Sequence, residues 1–124
     1  MQRLIVDGYN VVHAWTSLKR LVSTASLEAA RDELIRRLSV LGMVSGEEVT
    51  VVFDAHHSKA MSNSEETVDG VRVVFTRKGH SADHSIERLA YQASQSRAVI
   101  SALELERRVI DAEREMSRRV QRYQ

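Results

Sequence analysis

The sequence predicts an α/β domain built on a mostly parallel sheet, and three observations carry that reading. Short apolar runs rich in β-branched residues occur at 4–6, 49–53 and 71–75, bounded by polar residues or glycine as buried strands are. Between the first two, Leu27, Ala30, Leu34, Leu38 and Leu41 recur at helical spacing, which makes a strand-helix-strand unit. Such a unit crosses over right-handed, lays its strands parallel and gathers their carboxyl ends on one edge. Aspartates stand where these runs end: Asp7 after the first, Asp54 after the second, and Asp83 shortly after the third.

The elements follow in order. Ser26 is placed to cap the start of the first long helix and Gly42 to end it. Residues 56–69 are rich in Ser, Asn and Glu without an apolar period, so a loop above the acidic edge is expected, with a tight Asp69-Gly70 hairpin turn as the alternative. Ser81 begins a helix that turns Ala82, Ile86, Leu89, Ala90 and Ala93 toward the core, and Glu87 projects from the same face as Asp83. Ser101 and Glu104 fit a capping box opening a terminal helix over 102–123. Its seam of Ala102, Leu105, Val109, Ala112, Met116 and Val120 packs on the sheet early and protrudes later, free to meet a partner helix.

At 124 residues the chain is expected to form one domain, 1–124, with enough core to fold unaided. The absence of cysteine excludes disulfides, thiolate catalysis and cysteine-ligated metals. Met1 leads directly into a strand without a signal-like apolar region, and no apolar run could span a bilayer, so a cytoplasmic protein without membrane contact is expected. Net charge is +1, too little for nucleic-acid binding through bulk charge. Arginine nevertheless outnumbers lysine fifteen to three, and Arg107, Arg108, Arg114, Arg118, Arg119 and Arg122 crowd the terminal helix. Two readings stay open: an RNA-facing stripe, because the guanidinium fork suits phosphate, or a solvated face alternating with glutamates.

Carboxylates gathered at one edge repel each other unless a cation lies among them. Oxygen ligands suit Mg²⁺ or Mn²⁺, and a phosphate-bearing substrate would complete the coordination. Other chemistries lack their motifs: there is no Gly-x-Ser-x-Gly elbow, Walker loop or Gly-x-Gly-x-x-Gly. His80 and His84 flank Asp83, and His56 and His57 lie in the loop, but no His-Glu-x-x-His is present. Contact with substrate or solvent is the better reading than zinc. His13 and Trp15 are expected to shape the pocket wall or stack a base, and Tyr9 to be packed structure.

Five segments, in order, resemble the YacP-like NYN branch of the PIN-like nuclease superfamily. They are Leu4-Ile-Val-Asp-Gly-Tyr-Asn-Val-Val12, Val51-Val-Phe-Asp-Ala55, Val73-Val-Phe-Thr-Arg-Lys-Gly79, Ser81-Ala-Asp-His-Ser-Ile-Glu87 and Ile100-Ser-Ala-Leu-Glu-Leu-Glu106. The resemblance implies a Rossmann-like three-layer sandwich and a metal-dependent endoribonuclease acting on RNA, including ribosome-associated RNA. It assigns Asp7, Asp54 and Asp83 to the metal and the chemistry, Asn10 to orienting water or phosphate, and Glu87 to a further ligand position. RNA contacts would come from His13, His56, His57, Lys59, Arg77, Lys78 and His80, with Arg107, Arg114 and Arg118 on the terminal helix.

One departure stands out. Family members carry a further strand and acid after the Asp83 helix, whereas 90–100 here runs almost straight into the last helix. The shortened fold loses a carboxylate and opens a sheet edge, from which a homodimer is expected. Two rival functions follow: a degenerate RNA- or ribosome-binding module, and an assembly protein whose acids only stabilise strand and helix ends.

Overall fold

The computed structural model describes residues 3–53, 64–75, 97–99 and 101–121. Five strands form one sheet: β1 (Arg3–Asp7), β2 (Glu48–Phe53), β3 (Ser64–Val68), β4 (Val71–Phe75) and β5 (Arg97–Val99), in the order β3-β4-β2-β1-β5. β4, β2, β1 and β5 are parallel, and β3 is antiparallel on the β4 edge. Among the described residues the helices are α1 (Gly8–Ala14), α2 (Thr16–Thr24), α3 (Leu27–Ser45) and α4 (Ala102–Gln121). The α/β architecture, mostly parallel sheet and long terminal helix expected from the sequence are therefore present.

Alternation along the strands sorts the core. Leu4, Val6, Val49, Val51, Phe53, Val71 and Val73 join Val11, Val12, Leu18, Leu34, Leu38 and Leu105 in one hydrophobic cluster. On the opposite face Ile5 and Val52 are also buried, so the central strands are covered on both sides, as parallel strands generally are. The helix expected to begin at Ser81 lies outside the described residues.

The structure revises four expectations. The stretch after the Asp83 motif does contain a strand: Arg97–Val99 pair in parallel register with Arg3–Ile5. It is three residues long, opens on a charged residue and follows the polar Ser94-Gln95-Ser96, which is why its apolar signal is weak. β5 occupies the edge beside β1, but no Asp or Glu occurs between residues 88 and 103, and Ser101 follows where an acid was sought.

The loop expected over 56–69 ends in a strand from Ser64 onward. Asp69 (φ 50°) and Gly70 (φ 83°) both take positive φ, the requirement of the tight hairpin turn, and Ser39 anchors the turn by donating to the Asp69 carbonyl at 2.7 Å. Glu65 and Arg72 then pair across the hairpin at 2.6 Å.

α3 passes through Gly42 and ends at Gly46, whose φ of 76° makes the left-handed cap while its N–H donates to Gly42 O at 2.9 Å. Finally, two helices precede α3, in a region where only a pocket wall at His13 and Trp15 was expected. Val11, Trp15, Leu18 and Val22 are spaced four, three and four apart, a helical signal interrupted by the extended backbone of Trp15.

α4 begins as expected, with Ser101 Oγ accepting from Glu104 N at 3.2 Å. Leu105, Val109 and Ala112 are buried while Val120 is half exposed, so the inner turns pack and the outer end stands clear. The principal support is α3 rather than the sheet. Arg37 spans the two helices, donating to Glu113 at 2.8 Å while its guanidinium lies 5.0 Å from the Trp15 ring centre. The Trp15 indole donates to Ala102 O at 2.8 Å, and Arg108 pairs with Glu47. No helix among the described residues is long and apolar enough to cross a membrane.

Candidate active site

Asp7 is the last residue of a central strand and the cap of the helix that follows. Its Oδ1 accepts from Asn10 N at 3.4 Å, and the side chain is half-buried where β1 gives way to α1. Register places Asp7 opposite Val52, so β2 leaves the sheet one residue later, at Phe53, with Asp54 next in the chain. Parallel pairing thus brings the carboxyl ends of β1, β2 and β4 to one edge, as the aspartate pattern required.

Gly8 is indispensable to this arrangement for a reason of packing. A Cβ there would lie 2.3 Å from Phe53 Cε1, so the first turn of α1 can rest on the ring only because Gly8 has no side chain. Tyr9 meets the same ring at 5.1 Å between centres, and Phe53 stacks on Phe75 at 5.5 Å. Tyr9 is therefore packed structure, as expected, and with the two phenylalanines forms an aromatic floor at the ends of three strand segments. Arg31, reaching over from α3, donates to the Tyr9 hydroxyl at 3.2 Å and lies 5.8 Å from the Phe75 ring centre. The sequence reading passed over Arg31. Its only trace is a charged residue beside the apolar stripe of α3.

Asn10 and His13 are exposed on α1, available to substrate. Trp15 is only 1% exposed and holds Ala102, so it stacks no base: the ring belongs to the core. Asp54, Asp83 and Glu87 lie outside the described residues, as do His56, His57, Lys59, Arg77, Lys78 and His80. Among the described residues no group of three potential metal ligands occurs.

The arginines of α4 divide into two kinds. Arg118 donates to Glu115 at 2.9 Å, the helix-face pairing of the solvated reading, whereas Arg107 and Arg114 are exposed and make no ion pair among the described residues. Arg108 is fixed to Glu47, at the amino end of β2 and hence on the edge opposite Asp7.

Comparison with known proteins agrees with this geometry. Residues 4–103 match the family model of the YacP-like NYN domain. The chain is 43% identical over 90 residues to the uncharacterised protein YacP of Bacillus subtilis, an alignment covering 73% of this chain and 52% of that protein, so it spans about half the relative's length. It superposes on the crystal structure of Rae1 (YacP) from Bacillus subtilis with a TM-score of 0.83 and 35% identity, covering 99% of this chain and 82% of the other. The W164L mutant of Rae1 gives a TM-score of 0.78 at the same identity, covering 99% and 84%. NYN domains carry a nuclease-like function as their implication, and the match embraces Asp7, Asn10, Asp54 and Asp83. The chain belongs to the YacP-like NYN domain family.

Proposed function

We propose that the protein is a Mg²⁺- or Mn²⁺-dependent endoribonuclease. The observation that carries this reading is Asp7 at the carboxyl end of a central parallel strand, with Asp54 following directly on the neighbouring one, in a chain of an NYN family. Asp7, Asp54 and Asp83, with Glu87, offer only oxygen donors, which fits a hard divalent cation. Such an ion would supply a nucleophile of lowered pKa and charge stabilisation at the scissile phosphate. Asp7 is a ligand held in place by the α1 backbone, and Asn10, one turn along the same helix, orients water or a phosphate oxygen. His13, Arg107 and Arg114 extend the contact surface for RNA, free or carried on a ribosome. Loop residues His56, His57, Lys59, Arg77, Lys78 and His80 complete it.

A second reading is favoured by one observation. No acid follows β5, where Ser101 opens α4. A domain short of one carboxylate could retain RNA or ribosome binding without cleavage. The edge from which a homodimer was expected is taken by β5 beside β1, and self-association beyond β5 or through the outer end of α4 is compatible with either reading.

Incubation of the purified protein with a mixed RNA pool, with and without Mn²⁺, beside Asp83→Asn, decides between the two. Metal-dependent products that vanish in the variant support the enzyme. RNA binding without products, equal in both proteins, favours the binding module.

A further inference from the structure

We infer that Arg31 seats a non-scissile phosphate of the bound RNA, a role that rests on the nuclease reading above. Four of the described arginines are half-buried: Arg31, Arg37, Arg72 and Arg108. The last three each meet a glutamate, respectively Glu113, Glu65 and Glu47. Arg31 meets uncharged groups instead, the Tyr9 hydroxyl and the face of Phe75. Those contacts fix the direction of the guanidinium while neutralising none of its charge, and they occupy few of its five donors.

Among the described residues no carboxylate pairs directly with the Arg31 guanidinium, and a partly desolvated cation so held is costly unless an anion arrives with the ligand. The anion an RNA strand brings is phosphate, which matches the guanidinium fork. Arg31 is joined to Asp7 through Tyr9, two residues along the chain, so the phosphate it holds flanks the reacting one.

The direction of approach follows from the charges beside Arg31. Arg31 and Phe75 both line a cavity of about 320 Å³ between α3 and the β3–β4 hairpin, whose other walls include the exposed carboxylates of Glu28, Asp32, Glu66 and Asp69. These repel a polyanion, so the strand enters over Tyr9 and Asn10. Arg31 thereby sets register without touching the reacting atoms.

The test uses fluorescein-labelled single-stranded RNA of mixed sequence and the full chain. Binding is read by anisotropy across a salt series without divalent metal, and cleavage with Mn²⁺. Arg31→Gln keeps an amide donor for Tyr9 but removes the charge. It should bind about tenfold more weakly, as for loss of a charge-assisted hydrogen bond. The slope of log affinity against log salt should fall by about 0.7, the value for one phosphate contact on a single strand. With Mn²⁺ the loss of kcat/KM should be carried by KM. Arg31→Lys should restore the slope but not the full affinity, since it returns the charge without the fork; if Arg31→Gln fails to fold, this variant decides. Wild-type affinity and slope in folded Arg31→Gln, or wild-type affinity in Arg31→Lys when only that variant folds, while Asp7→Asn abolishes cleavage, overturn the inference alone. A wild-type protein that neither binds nor cuts RNA overturns the nuclease reading with it.

Discussion

Asp7 caps α1, and on the proposed reading it also serves the chemistry; substitution separates the two roles. Asparagine caps a helix about as well as aspartate, so Asp7→Asn should retain the hydrogen bond from Asn10 N and shift stability by less than about 1 kcal/mol. It removes the negative charge, however, and cleavage should disappear. A melting midpoint near wild type together with lost activity is the expected pair of results; an unfolded variant would show that the acid is chiefly structural. Gly8 sets two effects against each other. Alanine is the better helix former by about 1 kcal/mol, but its Cβ would sit 2.3 Å from the Phe53 ring, and overpacking of this kind costs about 1–3 kcal/mol. Overlap should win, so Gly8→Ala should lower the denaturant midpoint. An unchanged or raised midpoint would mean that Phe53 yields freely. No local pattern in the sequence reveals which ring lies above Gly8.

The hairpin and the α3–α4 junction show why some elements were legible and others were not. Strands β1, β2 and β4 announce themselves through β-branched runs, and α3 and α4 through period and caps. β3, by contrast, reads Ser-Glu-Glu-Thr-Val with four of its five residues exposed, and only its turn and its pairing with β4 make it a strand. Gly70→Ala should therefore cost about 1 kcal/mol, because φ of 83° is strained for any residue with a Cβ. A chemical denaturation curve superposable on wild type would count against the turn assignment. α1 and α2 escaped notice because extended Trp15 splits their period, and its indole finds Ala102 some 87 residues away. The ion pairs add a pH dependence. Hydrogen bonds from Arg36, Arg72 and Arg118 hold the carboxyls of Glu33, Glu65 and Glu115 below their ordinary range. Depressed folded-state values stabilise above the unfolded pKa, about 4.3, and that stabilisation is lost as pH falls through the lowered values. The melting midpoint should thus be insensitive to pH near neutrality, where these pairs contribute in full, and decline below about pH 4. Since the groups are exposed, the effect should be small and should shrink in high salt. A decline equally steep in Glu33→Gln/Glu65→Gln would assign it to other carboxylates.

The parallel topology brings the carboxyl ends of β1, β2 and β4 to a common edge, and that much is legible in the apolar runs and the helix between the first two. What could not be read was the second role of the aromatic residues: Tyr9, Phe53 and Phe75 look like ordinary core residues in sequence, and only the register of three strands stacks them into the floor on which Arg31 lies. The terminal arginines show the converse, since composition suggested a stripe and the fold ties Arg108, Arg118 and Arg119 to glutamates. The account stands on acids from different strands sharing one cation, and calorimetric titration of Mn²⁺ into the wild-type protein and Asp7→Asn tests this most directly. Saturable binding to wild type, clearly weakened in a folded Asp7→Asn variant, is the expected result. No binding to wild type, or equal binding to both, would contradict it.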